Sequence, residues 1–295
     1  MEKIIATLID GLNLGSVYAL VALGYTMVYG IAKMLNFAHG DVIMVGAYTI
    51  IICILEQGFG WPLALLICVV ICALLGFTME KLAYKPLRQS SPLAVLITAI
   101  GVSYLLQNIA LLIFGSRRKF VPEFLNLGGV TIGGITIQGL SFVIWGTTIV
   151  IMIALSLFIK KTRTGTAMLA VSEDKGAAQL MGINVNRTIS ITFVIGSALA
   201  GVASMLYTAK YMNVDPYTGS LFGIKAFAAA VFGGIGSVPG AMIGGLVIGL
   251  IEAFTSGFLP AGLNQASDGF AFLILIIVLV LKPSGLMGKK IVEKV

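Results

Sequence analysis

Residues 161–187 read KTRTGTAMLAVSEDKGAAQLMGINVNR and stand between two long apolar runs. Six formal charges lie in this stretch, on Lys161, Arg163, Glu173, Asp174, Lys175 and Arg187. Each would cost about 2.5–3.5 kcal/mol at the centre of a bilayer, and the six together about 20 kcal/mol. The scattered Ala, Leu and Met of the segment cannot return that much, so it lies in water while its flanks lie in lipid. Such a polar, helix-prone connection is suited to meet a soluble partner.

The segment carries its own start and stop signals. Ser172 is positioned as a hydroxyl cap, with Glu173 and Asp174 in the first turn, where the helix dipole favours negative charge. Gly182 supplies the stop. Between them the sequence predicts a helix of about nine residues, about 14 Å long. Its small and apolar side chains, Ala177, Ala178, Leu180 and Met181, form a contact face.

Working outward, the 295-residue chain is 58% hydrophobic and 11% charged, with a mean hydropathy of +1.04. These values predict an all-α polytopic membrane protein. The net charge of +7 is assigned to Lys and Arg that orient the loops, not to nucleic acid, which is excluded as a partner. The start, MEKIIATLIDGLNLG, has no small-x-small cleavage site before the apolar run continues and reads as a retained first helix. Cys53, Cys68 and Cys72 all sit in apolar runs and read as packing residues.

Candidate spans of about 20 residues fall near 5–30, 40–56, 62–84, 93–114, 139–160, 188–208, 238–257 and 268–282, about eight in all. A shorter apolar stretch, 221–235, runs into GGIGSVPG (233–240) and reads as a broken or re-entrant half-helix. Broken backbone is tolerated at membrane depth only where it is buried or lines a wet cavity. Lys81, Lys85, Arg88, the basic residues around 160–187, and Lys282, Lys289, Lys290 and Lys294 fall on one side, read as cytoplasmic. Arg117, Arg118, Lys119 and the Gly-rich 127–139 fall outside, as does the N-terminus if residues 32–40 form a cytoplasmic turn. Trp61 before Pro62 reads as an interfacial anchor. Gly11/Gly15, Gly240/Gly244 and Gly245/Gly249 are small-x-x-x-small pairs that serve either packing within the chain or an interface with a second membrane subunit.

No Gly-x-x-x-x-Gly-Lys-Ser/Thr loop is present, so the chain has no Walker site for ATP hydrolysis and is read as no enzyme. Gly234-x-Gly236 follows no strand and is no dinucleotide loop. The single histidine, His39, excludes a multi-histidine metal centre, and no cofactor is implied. Polar groups in the spans are the remaining functional candidates. They are Asp10, Asn13 and Ser16 in the first span, Asn36, His39 and Asp41 at the turn into the second, and Lys225 and Glu252 later on. Asn36 and Asp41 serve either as helix caps or, with His39, as lining of a solute path. Lys225 and Glu252 are a candidate internal charge pair.

GLNLGSVYALVALGYTMVYGIAKMLNFAHGDVIMVGAY, residues 163–187, TFVIGSALAGVASMLY, KAFAAAVFGGIGSVPGAMIGGLVIGLIE and LVLKPSGLMGK together resemble the permease subunits of branched-chain amino-acid ABC importers, of the LivH type. The resemblance spans essentially the whole chain and implies the ABC importer permease fold in one domain, 1–295, with 161–187 as its cytoplasmic coupling loop. It implies a multi-pass protein of the bacterial cell membrane, paired with a second, related permease. Two cytoplasmic ATP-binding cassette ATPases and an extracytoplasmic amino-acid-binding protein complete the implied assembly. Asn13, Ser16, Asn36, His39 and Asp41 become candidates for the substrate pathway. Ser172, Glu173, Asp174, Ala177, Ala178 and Gly182 become candidates for ATPase coupling. Leu169 departs from the pattern, since relatives often carry arginine there. A urea or short-amide permease of the same family is the nearest alternative. A secondary transporter using Asp41, Glu252 and Lys225 as ion sites, or a passive channel, is more distant.

Overall fold

The computed structural model describes residues 2–132, 134–260 and 266–288, so Lys289, Lys290 and Lys294 lie outside the described residues. Eleven α-helices are described: α1 Glu2–Ala32, α2 His39–Ile51, α3 Trp61–Met79, α4 Pro92–Phe114, α5 Gly139–Lys161, α6 Arg163–Glu173, α7 Lys175–Leu180, α8 Val185–Tyr211, α9 Thr218–Gly233, α10 Val238–Phe258 and α11 Ser267–Leu281. Seven of the described helices, counting the terminal turns of α2 and α3, are long and apolar enough to cross a membrane. They match seven of the expected spans. The eighth, α11, is apolar but has 15 residues, about 22 Å at 1.5 Å per residue, against a hydrocarbon core of about 30 Å. The expected half-helix is α9, with 16 residues.

The core is built on α1. Its second half, from Gly15 to Ala32, is buried on almost every face, which explains an apolar run without helical periodicity. Antiparallel α10 packs along it through glycine: a Cβ on Gly15 would lie 2.8 Å from Leu246 Cα, and one on Gly245 would collide with Ala19. Gly240 and Gly244 pack in the same way on α9, at Gly233 and Ala229. Of the two uses the small-residue pairs allowed, they serve packing within the chain. Cys68 and Cys72 fill the junction of α2, α3 and α8, where the Cys68 thiol lies 3.4 Å from the carbonyl oxygens of both Gly46 and Gly201.

One end of the bundle gathers the turn after α1, Arg88, α6, α7 and the segment after α11. Arg88 bonds Glu80 and Asn186, Ser190 Oγ donates to Glu80 at 2.7 Å, and Leu286 N–H donates to Phe232 O at 2.8 Å. The other end carries two short antiparallel ribbons, which an all-helical expectation missed. In one, β1 Lys119–Phe120 pairs with β4 Asn213–Val214; in the other, β2 Gly129–Ile132 pairs with β3 Ile135–Gln138. The second is legible in hindsight, because VTI-GG-ITI is a β-branched hairpin signature. Arg118 pairs with Asp215 at 3.1 Å at this end, and Trp61 stands half exposed at the start of α3 there.

Candidate functional site

Residues 33–38 do not simply cross between two spans. Lys33 takes a left-handed φ of 57° and turns the chain back into the bundle, where Met34, Asn36 and Ala38 are buried. When α2 begins, His39 lies against Gly24: a Cβ there would come 2.8 Å from His39 Cε1. Gly24 is about 12 Å back along α1 from its end. The His39 ring stands edge-on to Tyr25 with centroids 4.8 Å apart. Gly40 meets Gly219 and Gly223 so closely that side chains are excluded at this crossing of α2 and α9.

Neither Asn36 nor Asp41 caps α2 with its side chain; the N-cap is Ala38, which makes no side-chain cap bond. Asn36 works through its main chain, its carbonyl accepting the His39 N–H at 3.1 Å. Its side-chain oxygen accepts the Tyr84 hydroxyl at 2.7 Å. Asp41 Oδ1 accepts from Gln107 Nε2 at 3.0 Å, and the same amide reaches Ser103 Oγ at 3.0 Å, so the carboxylate fastens α2 to α4. Asn13 donates to Ser141 Oγ at 2.9 Å, and the Ser16 carbonyl accepts from Thr148 Oγ1 at 3.4 Å. Asn13 therefore faces α5, away from the break, and Ser16 meets the same helix through its main chain. All five candidate pathway residues are fully enclosed. Of the five, Asn36 and His39 border a cavity of about 10 Å³, lined also by Tyr25, Phe227 and Ile235 among others, room for about one water.

The 161–187 segment folds as two helices, not one. Thr162 caps α6, its hydroxyl accepting the Gly165 N–H at 3.0 Å. Ser172 is not a cap: it sits in the last turn of α6 and its hydroxyl bonds back to Leu169 O at 2.7 Å, as helical serines do. Glu173 ends α6. Asp174, extended at φ −152°, is the true cap of α7, and its carboxylate accepts the Ala177 N–H at 2.9 Å. α7 therefore has six residues, about 9 Å in length, where a nine-residue helix was expected. Its end is the expected one. Gly182 has φ +82°, with Gly182 N–H to Gln179 O at 3.0 Å and Ile183 N–H to Ala178 O at 3.0 Å, the paired bonds of a Schellman stop.

The expected contact face is also divided. Ala178 is buried against the chain's own core, whereas Ala177 is exposed and Leu180 and Met181 are 90% and 82% exposed. Leu169 is exposed as well. From the other side of α7, Lys175 Nζ donates to the carbonyl oxygen of Ala32, the last residue of α1, at 2.8 Å. Burial pushes this ammonium below the usual lysine range, and the nearby Arg88 and Lys33 act in the same direction.

The suspected Lys225–Glu252 pair forms at 2.8 Å, within a larger group than the sequence indicated. Asp268, in the first turn of α11, pairs with Lys225 at 2.7 Å, and the Tyr18 hydroxyl donates to Glu252 at 2.8 Å. Lys225 Nζ also lies 5.9 Å from the Tyr18 ring centroid. Four helices thus meet on one ammonium. An acid at the start of a short apolar helix is the signal that singles out Asp268.

The family described as "Branched-chain amino acid transport system / permease component" matches residues 7–279. The "High-affinity branched-chain amino acid transport system permease protein LivH" of Escherichia coli is 45% identical, over 97% of this chain and 96% of its own. The corresponding permease protein BraD of Pseudomonas aeruginosa is 43% identical, over 98% and 97%. A "Ribose import permease protein RbsC" from Haemophilus influenzae is 28% identical over 80% of this chain and 73% of its own. Among solved structures, "PsaBC from Streptococcus pneumoniae in complex with Fab" aligns with a TM-score of 0.50 at 16% identity, covering 93% of this chain and 91% of that one. That is a likeness of fold.

Proposed function

The chain belongs to the branched-chain amino acid transport permease family, and from that membership we propose that it carries branched-chain, hydrophobic amino acids into the cytoplasm as one half of an ATP-driven importer. It is an integral protein of the cell membrane. The observation that carries the reading is the 45% identity to a high-affinity branched-chain permease along 97% of the chain, too long to reflect a shared fold alone. Membership of an ABC importer system brings ATPase and binding-protein components with it. In finer detail, a second, related permease completes the pathway, two cytoplasmic ATPases dock on the 161–187 loops, and an extracytoplasmic binding protein delivers the solute.

The basic end of the bundle is then cytoplasmic, in accord with the excess of Lys and Arg there. Ala177, Leu180 and Met181 form the docking face, apolar and small enough to enter a groove, while Ala178 and Lys175 hold α7 to its own chain. Motion imposed on α7 passes to the end of α1 and to the re-entrant 33–38 turn beside it. Asn36, His39 and Asp41 hold that helix break in shape and so position the pathway wall. ATP binding and hydrolysis on the partner subunits supply the difference in free energy between inward- and outward-facing states. The test is uptake of labelled leucine into proteoliposomes holding this chain with its second permease and ATPases, supplied with ATP inside and binding protein outside. ATP-dependent leucine accumulation is expected; accumulation that ignores ATP and collapses with an ion gradient would overturn the reading.

A further inference from the structure

The end of the bundle that carries the two ribbons holds three consecutive cations, Arg117, Arg118 and Lys119, on the side that the bias of Lys and Arg toward the cytoplasm should leave poor in them. We infer that Arg117 and Arg118, with the neighbouring Phe120 and Tyr217, form the landing surface for an acidic patch of the extracytoplasmic binding protein. The inference rests on the function and orientation proposed above and adds to them the residues that meet this partner.

The mounting of these cations is the first support. β1 pairs with β4, Lys119 opposite Val214 and Phe120 opposite Asn213, and the Val121 N–H donates to Met212 O at 2.9 Å. The alternation of a strand turns Val121 inward, where it packs with Val214 on Met44, Ala47, Tyr48 and Ile51 of α2. Phe120 points the other way and is 75% exposed. Because α2 is buried along nearly its whole length, the ribbon lies over the interior of the bundle and not along its lipid-facing rim. A soluble partner approaching from outside meets it directly.

Charge and composition are the second support. Asp215 gathers the patch: its Oδ2 accepts from Arg118 Nε at 3.1 Å and its Oδ1 accepts the Tyr217 N–H at 2.9 Å. Both of its oxygens are thereby engaged, and the Nη groups of Arg118, whose side chain is 69% exposed, make no hydrogen bond among the described residues. Arg117 is exposed and has no ion pair among the described residues, and the exposed Glu123 forms none with these cations. Lys119 differs, its ammonium lying 5.0 Å from the centroid of the Phe114 ring. Two arginines therefore share one matched carboxylate, and an acid from outside the chain supplies the missing counter-charge and steers the encounter. Beside them the exposed Phe120 and Tyr217 complete the Arg-and-aromatic composition that anchors protein contacts, and covering those rings returns the cost of holding them in water.

Arg117→Glu is the informative change, because that side chain pairs with nothing in its own chain. Leucine uptake by the reconstituted importer is measured against the concentration of leucine-loaded binding protein. The half-saturating concentration should rise about tenfold in Arg117→Glu, with uptake returning to the wild-type level once binding protein saturates. Phe120→Ala should raise it as well, and Arg117→Lys, which keeps the charge, should stay close to the wild type. Added salt should weaken the wild-type interaction more than that of Arg117→Glu, since screening acts on the attraction that the variant has lost. A wild-type saturation curve in Arg117→Glu or Phe120→Ala, or failure of Arg117→Glu to assemble, would overturn the inference. So would a defect seen in vesicles containing phosphatidylglycerol and absent from vesicles of phosphatidylcholine, which would assign the cations to lipid headgroups. Wild-type accumulation of leucine that ignores the binding protein would instead remove the underlying reading, and the wild-type arm shows this separately.

Discussion

Lys175 Nζ holds the terminal carbonyl of α1 at Ala32 across a 2.8 Å hydrogen bond, joining the short, exposed-faced α7 to the helix whose second half is buried on almost every face. The carbonyl is one of those that a helix end leaves unpaired, and a charged donor satisfies it at a net worth of about 1.5–3 kcal/mol. Lys175→Met should keep the ATPases bound, since the docking face is untouched, and should lower transport several-fold while ATP turnover loses its dependence on substrate-loaded binding protein. Normal coupling ratios in this variant would show that force reaches α1 by another route.

Orientation is tested by single cysteines in a background lacking Cys53, Cys68 and Cys72. Met181→Cys, on the exposed tip after α7, should react with a membrane-impermeant thiol reagent only after permeabilisation. Thr131→Cys, on the exposed hairpin at the other end, should react in intact cells. The reverse pattern would invert the topology.

At the helix break, Asp41→Leu removes the acceptor of Gln107 Nε2 and leaves a buried amide unpaired on that side, a loss of about 1–3 kcal/mol. Transport should fall while the ATPases still co-purify, and Asp41→Asn, which keeps an acceptor oxygen, should be milder. A fully active Asp41→Leu transporter would reduce the α2–α4 link to ordinary packing.

Gly182 separates aiming from contact. At φ +82° a β-branched residue is strained, so Gly182→Val should keep the Leu180 and Met181 side chains but re-aim α7 and the tip that follows it. ATPase binding should persist with turnover uncoupled from uptake; unaltered uptake per ATP would show that the stop is not needed for aim.

Much of this architecture was readable in the residues, and the exceptions have physical causes. Seven spans were legible because about 20 apolar residues have no other stable use, and α9 because GGIGSVPG cannot continue a helix. The choice between Ser172 and Asp174 as cap was not, since both are capping residues two positions apart. It was decided when Thr162 started α6 and ran the helix through Ser172. Ala178 read as exposed because a six-residue helix has no period long enough to show which face is inside. Asp41 with Gln107, and Lys225 with Asp268, are partnerships across the bundle that no local pattern encodes.

The central claim is that α7 is the mechanical contact with an ATPase. Ala177→Glu places a carboxylate on the exposed face beside Leu180 and Met181, and an unpaired charge desolvated at an interface costs several kcal/mol. The most direct measurement is co-purification of the ATPase subunits with tagged wild-type, Ala177→Glu and Leu180→Glu chains from the same membranes. The ATPases should accompany the wild type and be lost from both variants while the permease pair stays intact; ATPases retained at wild-type stoichiometry by both variants would contradict it.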